Sequence, residues 1–302
     1  MSNHIITIYN TTQIFLKSGF YYKDISILIF CLIICGKSGE AQNSDLEFAL
    51  VNVGVSSVIG GIGAIINKEP EEQFSKVLLK GFAQGALGGY VVFESKRMLR
   101  EFSQSENYAY VWPSKLVNAA GNSIIENAAG NQNFWVKWHL NIGFNRFDIY
   151  TKDKFRLRYR IMPFSLGSTI SGFINYSFDF SQSLTFGTFV FTDENISIDG
   201  INNFDGATGD NLFVLKENSP ISIKAHEIIH TYQYEQLSGI NMYVSPISTK
   251  LESKSKLFKF YQKYFYTDYN SVLKKFLYQI EKKKSQNYSD NLFEKEAYYF
   301  MQ

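Results

Sequence analysis

Apolar residues follow two different patterns along the chain. From 46 to 66 the sequence reads LEFALVNVGVSSVIGGIGAII, and no charge falls between Ala49 and Ile66. A polar turn, Lys68-Glu69-Pro70-Glu71-Glu72, follows, and a second helical stretch runs from about Phe74 to Phe102. Gly81, Gly85 and Gly89 recur there at steps of four, and Gly60, Gly61 and Gly63 sit in the first stretch. Glycines four apart share one helix face and permit close backbone approach. The spacing predicts a glycine-rich helical pair, read either as a membrane hairpin or as two buried helices of a soluble domain. Eighteen uncharged residues barely reach spanning length, and Lys76 and Lys80 interrupt the second stretch, so close packing is the favoured form. A short helix over about Ser114 to Ala129 completes a region spanning residues 42–133.

From residue 134 the period changes to two. Phe134, Val136, Trp138, Leu140, Ile142 and Phe144 fall on one side of a strand, with Lys137, His139 and Asn141 on the other. Such alternation marks a half-buried strand. The phase slips near Asn145, as a bulge or turn requires. In the next strand Phe155, Leu157, Tyr159 and Ile161 oppose Arg156, Arg158 and Arg160, a face read as solvated or salt-paired. Further strands are expected at Thr169 to Phe180, Leu184 to Thr192 and Asn211 to Leu215. Together they suggest an antiparallel, strongly curved sheet over 134–218, too few strands for an outer-membrane barrel. Helical patterns resume over 219–302, so the predicted fold class is α+β.

The amino terminus reads differently. Ile25 to Cys35 is apolar apart from Ser26 and contains both cysteines, Cys31 and Cys35. Eleven residues are too few to span a bilayer but suit a signal-peptide core. Residues 1–41 are therefore expected to be a leader removed before Gln42, and the protein to belong to a bacterial cell envelope or to be secreted.

Composition narrows the function classes. Thirty Lys and Arg against 28 Asp and Glu leave a net charge of +2, and no nucleic-acid-binding module accompanies the lysine-rich stretch over 250–285, so no nucleic-acid partner is expected. That stretch reads as one or two amphipathic helices, packed on the core or lying on a membrane surface.

The informative motif is His226-Glu227-Ile228-Ile229-His230. Ser219-Pro220 suits a helix start and Gly239 a helix end. Histidines four apart face one side of that helix and converge on one metal, while Glu227 projects toward the edge of the site, placed to move a proton. Four His and 17 Glu scattered at random over 302 positions yield this pattern on the order of 0.003 times per chain. No histidine follows His230, so the third protein ligand should be a carboxylate. The leading candidates are Glu294 and Glu296 of the last segment, about 160° apart on one helix so that only one of them can join the site; Glu281, Asp268 and Glu252 are alternatives.

The segment His226 to His230 resembles the zincin metallopeptidase signature, and Glu294-x-x-Ala297-Tyr298 is similar to the second-helix signature of the gluzincins. The resemblance covers roughly residues 211–302 and implies Zn2+ held by His226, His230 and Glu294, with Glu227 as the general base. The family's Asp is replaced by Tyr298, and Gln233 extends the motif to His-Glu-x-x-His-x-x-Gln, a form found in small bacterial zincin-like proteins. It also implies an edge strand, placed at Asn211 to Leu215, for pairing with a peptide or protein substrate. Tyr232, Tyr234, Tyr298 and Tyr299 are candidates for oxyanion stabilisation. The function implied is a zinc-dependent metallopeptidase of the envelope, with membrane association; the alternative is a non-catalytic, membrane-associated structural protein that retains a metal.

Overall fold

The computed structural model describes residues 44–302 apart from 199, 200 and 286. The expected leader, with Cys31 and Cys35, lies outside the described residues. Helix α1 (Asp45–Ile66) starts at Ser44, whose Oγ accepts the Glu47 N–H at 3.2 Å, with Asp45 and Glu47 complementing the dipole of the first turn. It is long and apolar enough to cross a membrane by length and composition, and 39% of its most apolar window is buried in this fold.

Helix α2 (Phe74–Ser105) returns antiparallel to α1. The glycine steps do what their spacing predicts. A Cβ added at Gly85 would lie 2.3 Å from the Ser56 carbonyl oxygen, so the two backbones touch. The pair is in fact a trio, because α3 (Val111–Ala129) closes against both partners through Gly88–Gly121 and Gly63–Ala129 contacts.

Strands β1 (Lys137–Ile142), β2 (Asn145–Tyr150) and β3 (Arg156–Ile161) form an antiparallel meander. The phase slip is a two-residue turn with Gly143 at φ +56°, pairing Ile142 with Asn145. Its cross-strand rows are Trp138–Ile149–Leu157 and Leu140–Phe147–Tyr159 on one face, and His139–Asp148–Arg158 and Asn141–Arg146–Arg160 on the other. Alternation correctly separates the two faces, but the sheet is turned inside out. The buried face is the charged one: Lys137, His139, Asn141, Arg146, Asp148 and Arg160 are buried, while Leu157 and Tyr159 are exposed.

The reason is Glu126 of α3, buried under this face. It accepts from Arg146 at 3.0 and 2.8 Å, from Lys137 at 3.1 Å and from the Tyr266 hydroxyl at 2.9 Å. Arg146 also reaches Asp148 at 2.9 Å, and its guanidinium lies 3.8 Å over the Tyr266 ring. Of the three β3 arginines, Arg160 pairs with Asp148, Arg158 donates to the Gln262 carbonyl, and Arg156 stacks on Tyr150. Burial, followed by the charge of Arg146, pushes the His139 imidazole down to about 3, so it sits in the network neutral.

The next segment departs from expectation. Thr169 to Phe180 is mostly helical: α4 spans Pro163–Asn175 and only β4 (Ser177–Phe178) is extended. Pro163 at the first turn, after an extended Met162, starts the helix, and Leu166, Ile170 and Phe173 keep helical spacing. Leu184 likewise lies in a helix, α5 (Phe180–Phe186), capped by Asp179 and terminated by Gly187 at φ +61°; only β5 (Phe189–Thr192) of that expected strand is extended. Strands β6 (Ile196–Ile198) and β7 (Ile201–Phe204) form a ribbon, followed by β8 (Gly206–Gly209) and β9 (Leu212–Leu215). The second sheet has the order β4-β5-β9-β8, with β5 and β9 parallel and the other pairs antiparallel. The single curved antiparallel sheet expected from the sequence is thus, among the described residues, two sheets and a ribbon.

Helix α6 (Ile221–Gln236) runs through the middle, and every residue from Ala225 to Gln236 is buried. Its apolar side chains, Ile228, Ile229 and Tyr232, join Phe48, Phe93, Phe102, Phe213 and Phe300 in the main core. Helices α7 (Ser245–Lys254), α8 (Lys256–Tyr264), α9 (Asn270–Lys284) and α10 (Leu292–Met301) complete an α+β fold.

Two measurements check this account. Gly85→Ala should cost about 1–3 kcal/mol by overpacking, whereas Gly54→Ala, with open space around its added Cβ, should stabilise α1 by about 0.5–1 kcal/mol; urea denaturation of both variants distinguishes packing from propensity. Because the His139 value is depressed, the unfolded chain takes up a proton that the native chain refuses as pH falls below its ordinary 6.5. Its contribution is complete above that pH and is lost toward acid. Urea midpoints should therefore fall as pH drops from 7 to 4.5, and His139→Gln should flatten that fall.

Candidate metal centre

The site begins with helical spacing. His226 and His230 are one turn apart on α6, and their Nε2 atoms stand 3.1 Å from each other. Helix α10 crosses α6 and brings Glu294 Oε2 to 3.2 Å from His226 Nε2 and 3.4 Å from His230 Nε2. All three side chains are buried and form a group able to hold a metal ion. The distances support that reading. A tetrahedral ion bound at about 2.0–2.1 Å separates its ligands by about 3.3–3.4 Å.

The hydrogen bonds around the triad favour a cation as well. His230 Nδ1 lies 2.8 Å from Gln233 Oε1, an acceptor, so this nitrogen carries the proton and donates it. His230 Nε2 then faces the Glu294 carboxylate, a contact that calls for positive charge, supplied either by a proton on that nitrogen or by a metal ion between the two groups. Burial lowers the His230 value, but the adjacent Glu294 outweighs it and raises the result above the ordinary range. Glu294 responds in kind: burial raises its value, and the two imidazoles, His230 foremost, hold it far below the usual carboxylate range. Its other oxygen accepts the Tyr278 hydroxyl from α9 at 2.9 Å.

Gln233 is itself fixed. Its amide donates to the Phe293 carbonyl at 2.8 Å and to Glu296 Oε2 at 2.9 Å. Glu296 is therefore not a ligand; it points the other way, accepting Lys96 Nζ at 2.8 Å and Asn52 Nδ2 at 2.6 Å. Lys96 is wholly buried on α2 and also reaches Asn52 and Gln236. The second glycine-rich helix thus orients His230, a member of the candidate triad, through three side chains: Lys96, Glu296 and Gln233.

Glu227 leaves α6 on the cleft side. Thr208 of β8 donates to its Oε2 at 2.6 Å and to its backbone carbonyl at 3.0 Å. A side chain at Gly206 would meet Glu227 Oε1 at 2.7 Å, so glycine is what lets β8 approach. The cleft has a volume of about 390 Å³; β8, Glu227, His230, Glu294 and the α9 residues Lys274, Tyr278 and Gln279 line it. The edge strand beside it is therefore β8, whereas Asn211 to Leu215, expected in that role, contains β9, which lies between β5 and β8 and is buried along its length.

Among the candidate tyrosines only Tyr298 adjoins the centre, its ring centroid 4.7 Å from that of His226. Tyr232 bonds Ser114, Tyr234 bonds Asp268, and Tyr299 donates to Asp45, all away from the cleft. Asp268 is occupied at the start of α4, Glu281 pairs with Lys284, and Glu252 is exposed, so none of the alternative carboxylates joins the triad. Thr208, Gly206 and Tyr278 had no signal in the sequence, since nothing in their spacing refers to the motif. No family model, curated protein or solved structure matches the chain.

Gln233→Leu should weaken metal binding about 10–100-fold while leaving the donors in place; competition with a chromophoric chelator measures it. Lys96→Met and Glu296→Leu should each destabilise by about 3–5 kcal/mol, because either strands a buried partner, and the double variant should cost less than either alone; denaturant titration of the three variants checks that order.

Proposed function

We propose that this protein is a zinc-dependent metallopeptidase of the zincin type, close in plan to the gluzincins. The observation that carries the proposal is Glu227. A metal kept only for stability needs ligands, but it has no use for a carboxylate that stands beside them, faces an open cleft and is held there by Thr208. The donor set of two imidazoles and one carboxylate suits zinc and leaves a fourth position open. Zinc held by His226, His230 and Glu294 would supply Lewis acidity and lower the pKa of a water toward neutrality.

The chain's own residues do the rest. Glu227 takes the proton from the attacking water and passes it to the departing amine. Thr208 orients the carboxylate for both transfers through the contact to Oε2. The substrate backbone lies extended along β8, adding a strand to the second sheet and presenting its carbonyl to the cleft. Tyr298, whose ring adjoins that of His226, is the residue we assign to donate to the developing oxyanion. Burial, then the charges of Glu294 and Glu227, raises its hydroxyl above the ordinary value, which keeps the proton available for that role. The apolar leader and the spanning-length α1 support placement in a cell envelope.

Glu227→Gln keeps shape and removes the base, so zinc should remain near one per chain while hydrolysis is abolished. His230→Ala should lose zinc and activity together, and Glu294→Ala should lose zinc affinity far more than Glu296→Ala does. Zinc analysis of the purified variants beside a peptide-library assay provides the test. Full zinc occupancy without cleavage of any peptide or protein would assign the site to the structural alternative.

A further inference from the structure

The inverted sheet leaves an apolar surface on the outside of the molecule. The rows Trp138–Ile149–Leu157 and Leu140–Phe147–Tyr159 lie on the face opposite the buried charges. Among the described elements, α3 packs against the polar side, and α8 lies along the free edge of β3, tied by Arg158 to the Gln262 and Lys263 carbonyls. Exposure increases toward that edge: Leu157 is 60% and Phe155 77% exposed. Helix α8 continues the pattern with no buried residue at all; its Leu257 and Phe260 are 78% and 58% exposed. Aqueous exposure of this much hydrocarbon is unfavourable unless something covers it.

Charge identifies what would cover it. The two segments at this edge, residues 151–158 and 250–263, hold nine Lys and Arg against two acidic residues. That is a local excess of seven in a chain whose total excess is two, so the remainder is net acidic. Lys256, Lys259 and Lys263 alternate along α8 with Leu257, Phe260 and Tyr264, the composition of a helix that lies at a bilayer interface. A second copy of the chain docked face to face would bring two such basic edges together, which like charges oppose. An anionic lipid surface neutralises the lysines and accepts the aromatic and aliphatic side chains at the same time.

We propose that the outer face of the β1–β3 sheet, together with α8, docks on an anionic bilayer surface. The association is peripheral: α8 and the outer face of the sheet, with the row Trp138–Ile149–Leu157, lie at the interface, and the candidate metal centre is held on a scaffold anchored beside the membrane. This does not depend on the catalytic reading, since it uses none of the residues of the metal centre.

The test uses the full chain and two vesicle preparations, phosphatidylcholine alone and phosphatidylcholine mixed equally with phosphatidylglycerol. Cosedimentation should favour the anionic vesicles and weaken as salt rises. Phe155→Glu combined with Leu257→Glu should lower partitioning at least about tenfold, because each change removes an exposed apolar side chain that would enter the interface and adds a repelled charge. Both positions are exposed, so circular dichroism and metal content should be unchanged. A second readout excludes binding through the amino-terminal apolar run: brominated phosphatidylglycerol should quench Trp138, and Trp138→Phe should remove that part of the quenching. Equal partitioning of the variant, or no quenching from Trp138, overturns the proposal. A dimer in solution that the same two substitutions dissociate, without vesicle binding by the parent protein, would give this face to a second copy and overturn it as well.

Discussion

Every residue of α6 from Ala225 to Gln236 is buried, although seven of those twelve are polar or charged: His226, Glu227, His230, Thr231, Gln233, Glu235 and Gln236. A buried polar group without a partner costs about 1–3 kcal/mol, and an unpaired charge far more. The rest of the molecule is arranged to answer that requirement. Helix α10 meets the two histidines, β8 meets Glu227, α2 and α10 meet Gln233 and Gln236, and Lys115, Asn118 and Asn141 meet Glu235. The motif helix is therefore also the centre of the buried polar network, and the group able to hold a metal shares its contacts with the fold.

This arrangement also gives the glycine-rich helices a role that close packing alone would not. Lys96 has no exposure, and burial lowers its value, with Glu296 beside it opposing the shift. Glu296 in turn is held below the ordinary range: burial raises its value, but Lys96 outweighs it. The pair fixes Gln233, and Gln233 orients the ring of His230 in the candidate triad. A lysine in the second glycine-rich helix and a glutamate two residues after Glu294 look unrelated in the sequence; three dimensions make them neighbours.

What was legible in the sequence follows from what periodicity encodes. Helical steps of four located the α1–α2 contact and the His226–His230 pair; helix geometry allowed only one of Glu294 and Glu296 at the site, and the Glu-x-x-Ala resemblance pointed to Glu294. Alternation with period two separated the faces of β1 and β3 correctly, but it contains no information about which face is inside. The usual assumption, that apolar residues point inward, fails here because Glu126 lies under the sheet and selects the charged face. The strand expected around Thr169 to Phe180 failed for a related reason: apolar and β-branched residues there outweighed a proline-started helical spacing. Residues that act through long-range contacts, such as Thr208 on Glu227 and Tyr278 on Glu294, leave no local pattern to read.

The charged interior of the β1–β3 lobe has a thermodynamic consequence of its own. Apolar surface released on unfolding raises the heat capacity, whereas polar surface lowers it. A lobe whose inner face is Lys137, His139, Arg146, Asp148 and Arg160 over Glu126 therefore unfolds with a smaller heat-capacity increment than the phenylalanine-rich core around α6. The cost of keeping ions out of water also declines on warming. The stability of the lobe should thus vary little with temperature, while that of the aromatic core follows the steep curvature of a hydrocarbon interior, and cold would loosen the core around the motif helix before it loosened the sheet.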